Sequence, residues 1–219
     1  MSQQTSVYAW IVFFISAGAY VPLAVGGWYH PSEINMAAYG IWMVLAGMFL
    51  YSSWKQEFAG VRMPLGFFVG NVLMLVFGFW VGGYTFNLGP AETMALYGVV
   101  GTLSLWTTIG ALTSRWSSRL LYWGAIVADL LSFYPQWKQY LLPHDYPTTW
   151  MLVGWCCWIG GAAINVVFVE KLFKKLLMPE EEYEREYEKM KKPLLIWEES
   201  AFSLENCFFM TVTVFLMAR

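Results

Sequence analysis

Long stretches without charge constrain this chain more than any other feature. Residues 65–114 contain one acidic or basic residue, Glu92, and residues 120–137 contain only Asp129. An α-helix needs about 20 residues to cross a hydrocarbon core of ~30 Å, and both stretches provide such a length. Charged residues make up 13% of the 219 residues, against about 25% in soluble domains. The composition predicts an integral membrane protein surrounded by a lipid bilayer.

Seven apolar segments follow from this pattern, and their lengths favour helices over the shorter alternating strands of a membrane barrel. The predicted segments are 7–28, 35–54, 65–83, 93–112, 120–140, 148–169 and 194–218. The last one contains Glu198, Glu199 and Glu205, and each carboxylate is costly in the middle of a bilayer. It is therefore either a seventh transmembrane helix or an interfacial segment, which would leave six.

The first and second halves of the chain follow the same order of features. Pro22 lies in the first segment and Pro135 in the fifth, and each is followed by a turn with a proline and an acid. An apolar segment with a tryptophan, Trp42 or Trp155, comes next in both halves. Internal duplication is a feature of many transporters, whose substrate sites lie between the repeats. The predicted units are a first three-helix repeat at 7–86, a linker helix at 92–113 and a second three-helix repeat at 119–219, with a charged insertion at 170–193.

The distribution of basic residues predicts the orientation. If the helices alternate in direction, eleven of the 13 lysines and arginines lie on the side of the N-terminus. Basic loops stay in the cytoplasm, so the N-terminus is expected there. The first residues lack the basic region of a signal peptide, which favours retention of the first helix and a bacterial inner membrane. The insertion at 170–193 suits a solvated connecting helix or, alternatively, an element that binds a partner.

Sequence motifs of catalysis and metal binding are missing from the chain. Cys156 and Cys157 are adjacent, Cys207 is distant, and no cysteine or histidine pair has the spacing of a metal site. There is no glycine-rich phosphate loop, no Ser-His-Asp pattern and no HExxH motif. The formal net charge of −2 gives no sign of a nucleic-acid partner. We therefore expect neither an enzyme nor a resident cofactor or metal.

The fifth segment carries the most specific motif. Residues 128–140 read Ala-Asp-Leu-Leu-Ser-Phe-Tyr-Pro-Gln-Trp-Lys-Gln-Tyr, and a Pro-His-Asp turn and a Trp-rich apolar segment follow. On these residues the chain resembles the PQ-loop and SWEET-like superfamily, and in particular its bacterial seven-helix membrane proteins. In the first half Leu23 stands where the glutamine after Pro22 would be. The resemblance covers most of the chain but is carried by short motifs.

The resemblance implies a fold and a class of function. The fold would be all-α, with two three-helix bundles joined by a linker helix (3+1+3), and the function would be passage of a small polar solute such as a sugar, an amino acid or a vitamin. Two features depart from the SWEET pattern. Members of that family usually have an extracellular N-terminus, and the charged insertion before the last helix is unusual. Since function resides in sites, the fold carries over better than the activity.

Asp129 is the most informative single residue. It lies within an apolar segment, between Ala128 and Leu130, where a carboxylate must face the bundle interior, be protonated or be paired. It could carry a proton or bind a hydroxyl or amine of a substrate. The alternative is a structural hydrogen bond between two helices.

Amides and tryptophans form a second set of candidates for substrate binding. The resemblance matches Asn71 and Asn206 with the pocket asparagines on the third helix of each bundle, whereas Asn165 has no counterpart in that pattern. Amides both donate and accept hydrogen bonds, which suits a neutral polar solute. Interhelical hydrogen bonds, worth ~0.6 kcal/mol on average, are the alternative role. Trp42 and Trp155, together with Trp158, could stack on a ring or simply pack.

Proline removes a backbone hydrogen bond from a helix, so Pro22, Pro135 and the adjoining Gln136 are candidate hinges for alternating access. A static interruption of the helix is the competing interpretation. Altogether the sequence predicts a transporter-like membrane protein for a small polar solute, with proton coupling through Asp129 as a further hypothesis. The alternative function is a non-transporting membrane sensor or an accessory subunit of a larger complex. A homo-oligomer or a membrane partner protein is compatible with either function.

Overall fold

The computed structural model describes residues 3–30, 34–55, 62–82, 88–112, 118–141, 149–165 and 195–219. All the secondary structure in these ranges is helical. The helices are α1 (Gln3–Gly18), α2 (Tyr20–Tyr29), α3 (Met36–Lys55), α4 (Arg62–Val76), a π-helical segment (Phe77–Val81), α5 (Pro90–Leu112), α6 (Ser118–Ser132), α7 (Tyr134–Leu141), α8 (Thr149–Ile164) and α9 (Leu195–Met217).

These elements form seven helical spans over the described residues, because α1 continues into α2, α4 into the π-helical segment and α6 into α7. The predicted all-α class is thereby confirmed, and the last segment is a helix; that it crosses a membrane stays a prediction. The helix that was in question is α9, which packs along α8 and contributes buried side chains to the core. The charged insertion at 170–193 lies outside the described residues.

Two of the spans are interrupted close to a proline. The first breaks at Ala19, just before Pro22, and the fifth breaks at Phe133, just before Pro135. Proline has no N–H, so the carbonyl four residues earlier loses its helical donor. Helical hydrogen bonding resumes around each break, as in the 3.0 Å bond from the Trp137 N–H to the Phe133 carbonyl. The prolines therefore explain where these two spans divide.

One asparagine fixes the start of α3 and joins it to α5. The Oδ1 of Asn35 accepts a hydrogen bond of 3.1 Å from the Ala38 N–H, which is the bond of a helix N-cap. The Nδ2 of the same side chain donates to Oε1 of Glu92 over 2.6 Å. Glu92 stands in the first turn of α5, two residues after Pro90, and both residue types suit a helix start.

The helices pack in a closed ring. Following contacts from neighbour to neighbour leads from α1–α2 to α4, then to α3, α6–α7, α9 and α8, and back to α1–α2. Helix α5 packs against α6 and α7 and touches α3. The interior of the ring holds the buried aromatic and polar side chains.

Glycines allow close approach at two contacts of this ring. A Cβ at Gly70 of α4 would collide with the ring of Tyr20, and a Cβ at Gly154 of α8 would lie 2.5 Å from the side chain of Leu23. Both neighbours belong to α2. The α2 helix is therefore held closely between α4 and α8, with Tyr20 directed to the interior.

Three helical spans are long and apolar enough to cross a membrane: Trp10–Tyr29, Met36–Trp54 and Arg62–Trp80. Thr149–Ile164 and Ala201–Met217 are shorter apolar helices. Large apolar side chains also point outward, including Trp54 and Trp80, which are 71% and 87% exposed. Contiguous apolar surface is uncommon on soluble monomers, so these features are compatible with an integral membrane protein.

Candidate functional site

Within the ring of helices lies a cavity to which six of the seven described spans contribute. About 30 Å³ of it is open to water-sized molecules, which is room for about two waters. The lining residues are Tyr20, Trp42, Leu45, Ala46, Phe49, Phe67, Asn71, Asp129, Phe133, Trp158, Phe202, Asn206 and Met210. Helix α5 contributes none of them. Asp129, Asn71, Asn206 and Trp42, all predicted from the sequence, meet here.

Asp129 is the acidic residue of this wall, and a serine orients it. The Ser132 hydroxyl lies 2.7 Å from Oδ1 of Asp129 and 2.7 Å from its backbone carbonyl oxygen, so its single proton can serve either acceptor. The Nε1 of Trp42 donates to the same hydroxyl over 2.9 Å. A chain of donors therefore runs from α3 to the carboxyl on α6. None of the described residues that line the cavity is basic.

The two cavity asparagines are held in the same way on different helices. The Nδ2 of Asn71 donates to the Phe67 carbonyl over 2.9 Å, and the Nδ2 of Asn206 donates to the Phe202 carbonyl over 2.8 Å. A carbonyl can only accept, so each amide turns its nitrogen towards its own helix. The Oδ1 of Asn71 is buried and has no hydrogen-bond partner among the described residues. It is an acceptor without a donor in the cavity wall.

Aromatic rings form most of the remaining wall. Tyr20 and Trp158 meet edge to face with their centroids 4.6 Å apart, and Trp42 lies 5.1 Å from Phe133. The Nε1 of Trp158 donates to the backbone carbonyl of Ser16 over 3.0 Å. Trp42 and Trp158 thus each send a donor across to the proline-interrupted span of the other half of the chain. Their indole faces are fixed beside the cavity.

Two of the predicted substrate-binding residues lie outside the cavity wall. Trp155 is fully buried behind it, with its ring 4.7 Å from that of Trp158. Asn165 donates to the Ser203 hydroxyl over 2.6 Å, and that hydroxyl is 3.4 Å from the sulfur of Met63. This cluster joins the end of α8 to α9 and α4. Asn165 therefore contacts a helix junction, which is the structural alternative considered for it.

The three predicted hinge residues also lie outside the wall. Pro22 is half-buried, and Pro135 and Gln136 are buried. The Nε2 of Gln136 has no hydrogen-bond partner among the described residues. The helix breaks lie at Ala19 and Phe133, and Phe133 itself lines the cavity. Movement at these positions stays a prediction.

Glu205 of α9 is a second acid whose carboxyl group is buried, and it was not among the residues predicted for the site. Both of its carboxyl oxygens are buried without a hydrogen-bond partner among the described residues. The carboxyl of Asp129 is close enough to interact with it electrostatically. The packing of α9 therefore places the carboxyl of Glu205 inside the bundle. The available signal in the sequence was that Glu205 directly precedes Asn206, a residue that was predicted for the site.

Other cavity residues were missed because apolar side chains are common in such a sequence. Phe67 and Phe202 each lie four residues before a cavity asparagine, and both line the wall. A paired Phe-x-x-x-Asn pattern in the two halves was the available signal. Tyr20 and Phe133 each stand two residues before a proline, and this matching position in the two halves was the available signal for them.

The described residues contain no group of three or more histidine, cysteine, aspartate or glutamate side chains placed to hold a metal ion. Chemically, the wall presents a carboxyl, amide groups and aromatic faces. Comparison with protein-family models, with curated proteins and with solved structures found no match.

Proposed function

We propose that this protein is a membrane transporter for a small polar solute, which binds in the cavity between the helices. The observation that carries this proposal is the meeting of Asp129, Asn71 and Asn206, from three different helices, on one cavity. Buried acids in membrane helices typically mark solute or ion pathways. Substrate sites between helices at the centre of a bundle are common in secondary transporters.

The helix contacts support a duplicated 3+1+3 architecture with α5 as the linker. In each half the third helix, α4 or α9, packs between the other two. The tryptophan donors are reciprocal: Trp42 reaches Ser132 in the second half, and Trp158 reaches Ser16 in the first. A cavity between two such units suits a mechanism in which one moves against the other.

Transport requires this cavity to open, because its present volume of about 30 Å³ holds about two waters. The breaks at Ala19 and Phe133 are suitable points for such a movement. Backbone groups without helical partners lie there already, so a change of angle breaks few hydrogen bonds. Asp129 lies just before the second break, which suits a coupling between its protonation and the opening.

A ligand screen on the detergent-purified protein tests the proposal. Thermal unfolding is measured with sugars, amino acids, amines, nucleosides and vitamins. A true ligand at one hundred times its Kd adds about 2.7 kcal/mol to the native state. Asp129→Asn should reduce the effect of a true ligand, and Asn165→Ala, outside the cavity, should retain it. Uptake of the ligand into liposomes, with and without a pH gradient, then tests transport and proton coupling.

One observation favours the alternative of a non-transporting sensor or accessory subunit. The cavity is small, and its rings are in mutual contact, as for Phe49 and Phe202 with centroids 4.1 Å apart. A closely packed aromatic core would suit a static protein that holds a membrane partner. A silent ligand screen, together with co-purification of a membrane partner, would support this alternative over transport.

The proposed location is a bacterial inner membrane with a cytoplasmic N-terminus. Of the eleven basic residues on the side of the N-terminus, Lys55, Arg62 and Arg119 lie within the described ranges and the others do not. Labelling of single cysteines introduced at the N-terminus and at position 219, in intact and permeabilised cells, tests the orientation. With seven membrane helices, the two labels should report opposite sides.

A further inference from the structure

We propose that the solute of this cavity is a small organic cation without a carboxylate, such as a protonated amine or a methylated ammonium ion. This inference rests on the proposed function and names its substrate class. Three independent features of the wall carry it: the balance of charge, the use of hydrogen-bond donors and the aromatic surface.

The charge near the cavity is one-sided. Asp129 lines the wall, and Glu205 lies within electrostatic reach of it with both oxygens buried. No described residue of the wall is basic. A buried acid without a positive partner is unfavourable when ionised, and a cationic solute would provide that partner.

Each donor side chain of the wall already gives a hydrogen bond to a protein acceptor, which leaves one further N–H on each of the two asparagines. The Tyr20 hydroxyl donates to the Phe67 carbonyl over 3.3 Å, and Asn71 donates to the same carbonyl. Asn206 donates to its own helix. The indole N–H groups of Trp42 and Trp158 are also bound, to Ser132 and Ser16.

Acceptors, by contrast, remain open. Asn71 keeps its Oδ1 without a partner among the described residues, and Asp129 has a second carboxyl oxygen. A solute that donates or carries positive charge therefore fits this wall. A carboxylate would meet Asp129 with few donors to stabilise it, which disfavours amino acids. Sugars, whose hydroxyls must also accept hydrogen bonds, fit less well.

Seven of the thirteen lining residues are aromatic. The face of an aromatic ring attracts a cation, most strongly for tryptophan, and cages of such rings bind methylated ammonium ions. Trp42 and Trp158 both contribute here, with their centroids 6.4 Å apart and their planes at 86°. In the proposed site these rings lie against the cation, and Asp129 supplies the counter-charge.

Choline is the probe for the test, and two compounds of similar size are its controls. 3,3-Dimethyl-1-butanol replaces the ammonium by a neutral carbon, and glycine betaine adds a carboxylate. Binding to the purified full-length protein is measured by calorimetry and by thermal stabilisation. We expect choline or tetramethylammonium to bind at least tenfold more tightly than both controls, because charge-assisted contacts are the stronger ones.

Variants connect that binding to the cavity. Asp129→Asn keeps the shape and the acceptor for Ser132 but removes the charge, and it should weaken choline binding about tenfold or more. Phe133→Leu removes one ring of the wall and should weaken binding several-fold. Phe209→Leu is its matched control, because Phe209 is buried beside Phe133 with centroids 5.0 Å apart but does not line the cavity. It should leave choline affinity unchanged.

The outcomes separate this inference from the proposed function. Equal binding of choline and its neutral isostere would overturn the inference. An Asp129-dependent response to a sugar or a nucleoside, with none to the cations, would overturn it while supporting a solute site. If no compound of any class binds, the proposed transport function fails together with it. Cation binding without uptake into liposomes would support the inference and count against transport alone.

Discussion

The two proline-interrupted spans have the same arrangement of helix, break and proline, but they carry different polar side chains. Span α1–α2 carries Ser16 at the same distance before Pro22 as Asp129 stands before Pro135 in α6–α7. Both side chains are buried. The Oγ of Ser16 has no partner among the described residues, whereas Asp129 is bonded to Ser132 and lines the cavity. Equivalent positions therefore provide a neutral hydroxyl in one half and an acid in the other.

Helices α4 and α9 repeat this contrast. Asn71 follows Gly70 and Asn206 follows Glu205. Gly70 leaves space for the ring of Tyr20, while Glu205 brings a second buried carboxyl close to Asp129. Both acids near the cavity thus belong to the second half. The two halves therefore contribute similar helices to the ring, but the acidic side chains near the cavity come from the second half.

An acid at the matching position of the first half should have the largest effect on stability. Ser16→Asp puts a carboxyl where the structure provides no basic partner for it among the described neighbours. We expect the free energy of unfolding to fall by ~3 kcal/mol or more, as for other unpaired buried charges. Ser16→Ala, which removes a hydroxyl without a described partner, should change stability by less than ~1 kcal/mol. Chemical or thermal unfolding in detergent measures both, and equal losses would contradict the expected role of charge.

Gly70→Ala should have the next largest effect. The new methyl group would collide with the Tyr20 ring, and overpacking of this kind costs ~1–3 kcal/mol. Gly160→Ala is the matched control, because nothing lies within 4 Å of a Cβ at that position of α8. Alanine favours helix over glycine by up to ~1 kcal/mol, so this control should be neutral or stabilising. The melting temperatures of the two variants should therefore move apart.

The two tryptophans at corresponding places in α3 and α8 should also differ. Trp42→Phe removes the donor to Ser132 and should cost ~1 kcal/mol for the lost hydrogen bond, in addition to the lost ring area. Trp155→Phe loses a similar ring area but no hydrogen bond, since its Nε1 has no partner among the described residues. Comparing the two free energies of unfolding isolates the bond. Equal losses would mean that the Trp42–Ser132 contact adds nothing to stability.

The sequence predicted the helices well because each one is indicated by many apolar residues in succession. Charge-free apolar runs placed the seven spans to within a few residues, and Pro22 and Pro135 indicated where two of them divide. Asp129, Asn71 and Asn206 could be selected because polar residues are rare in such segments. The same rarity singled out Asn165, which instead bonds to Ser203 at a helix junction.

Side-chain direction was the information that the sequence did not provide. Trp155 corresponds to Trp42 in the order of features, yet Trp158, one helical turn later, lines the cavity and donates to Ser16. Glu205 stood near the start of an apolar run, and only the packing of α9 against its neighbours distinguishes a buried acid from one at the headgroup level. Both outcomes depend on helix rotation, which contacts with other helices determine.

The smallest expected effects come from the two cavity asparagines and give the most sensitive comparison of the halves. Asn71→Ala and Asn206→Ala each remove a hydrogen bond to a carbonyl of the same helix, of 2.9 Å and 2.8 Å. Such bonds between polar groups in membrane proteins are worth ~0.6 kcal/mol on average. If the two halves are equivalent, the variants should lose the same stability, and the double variant should lose their sum. A larger loss for Asn206→Ala would mean that its amide also supports the neighbouring Glu205, and that the halves differ in their hydrogen bonding as well as in their charge.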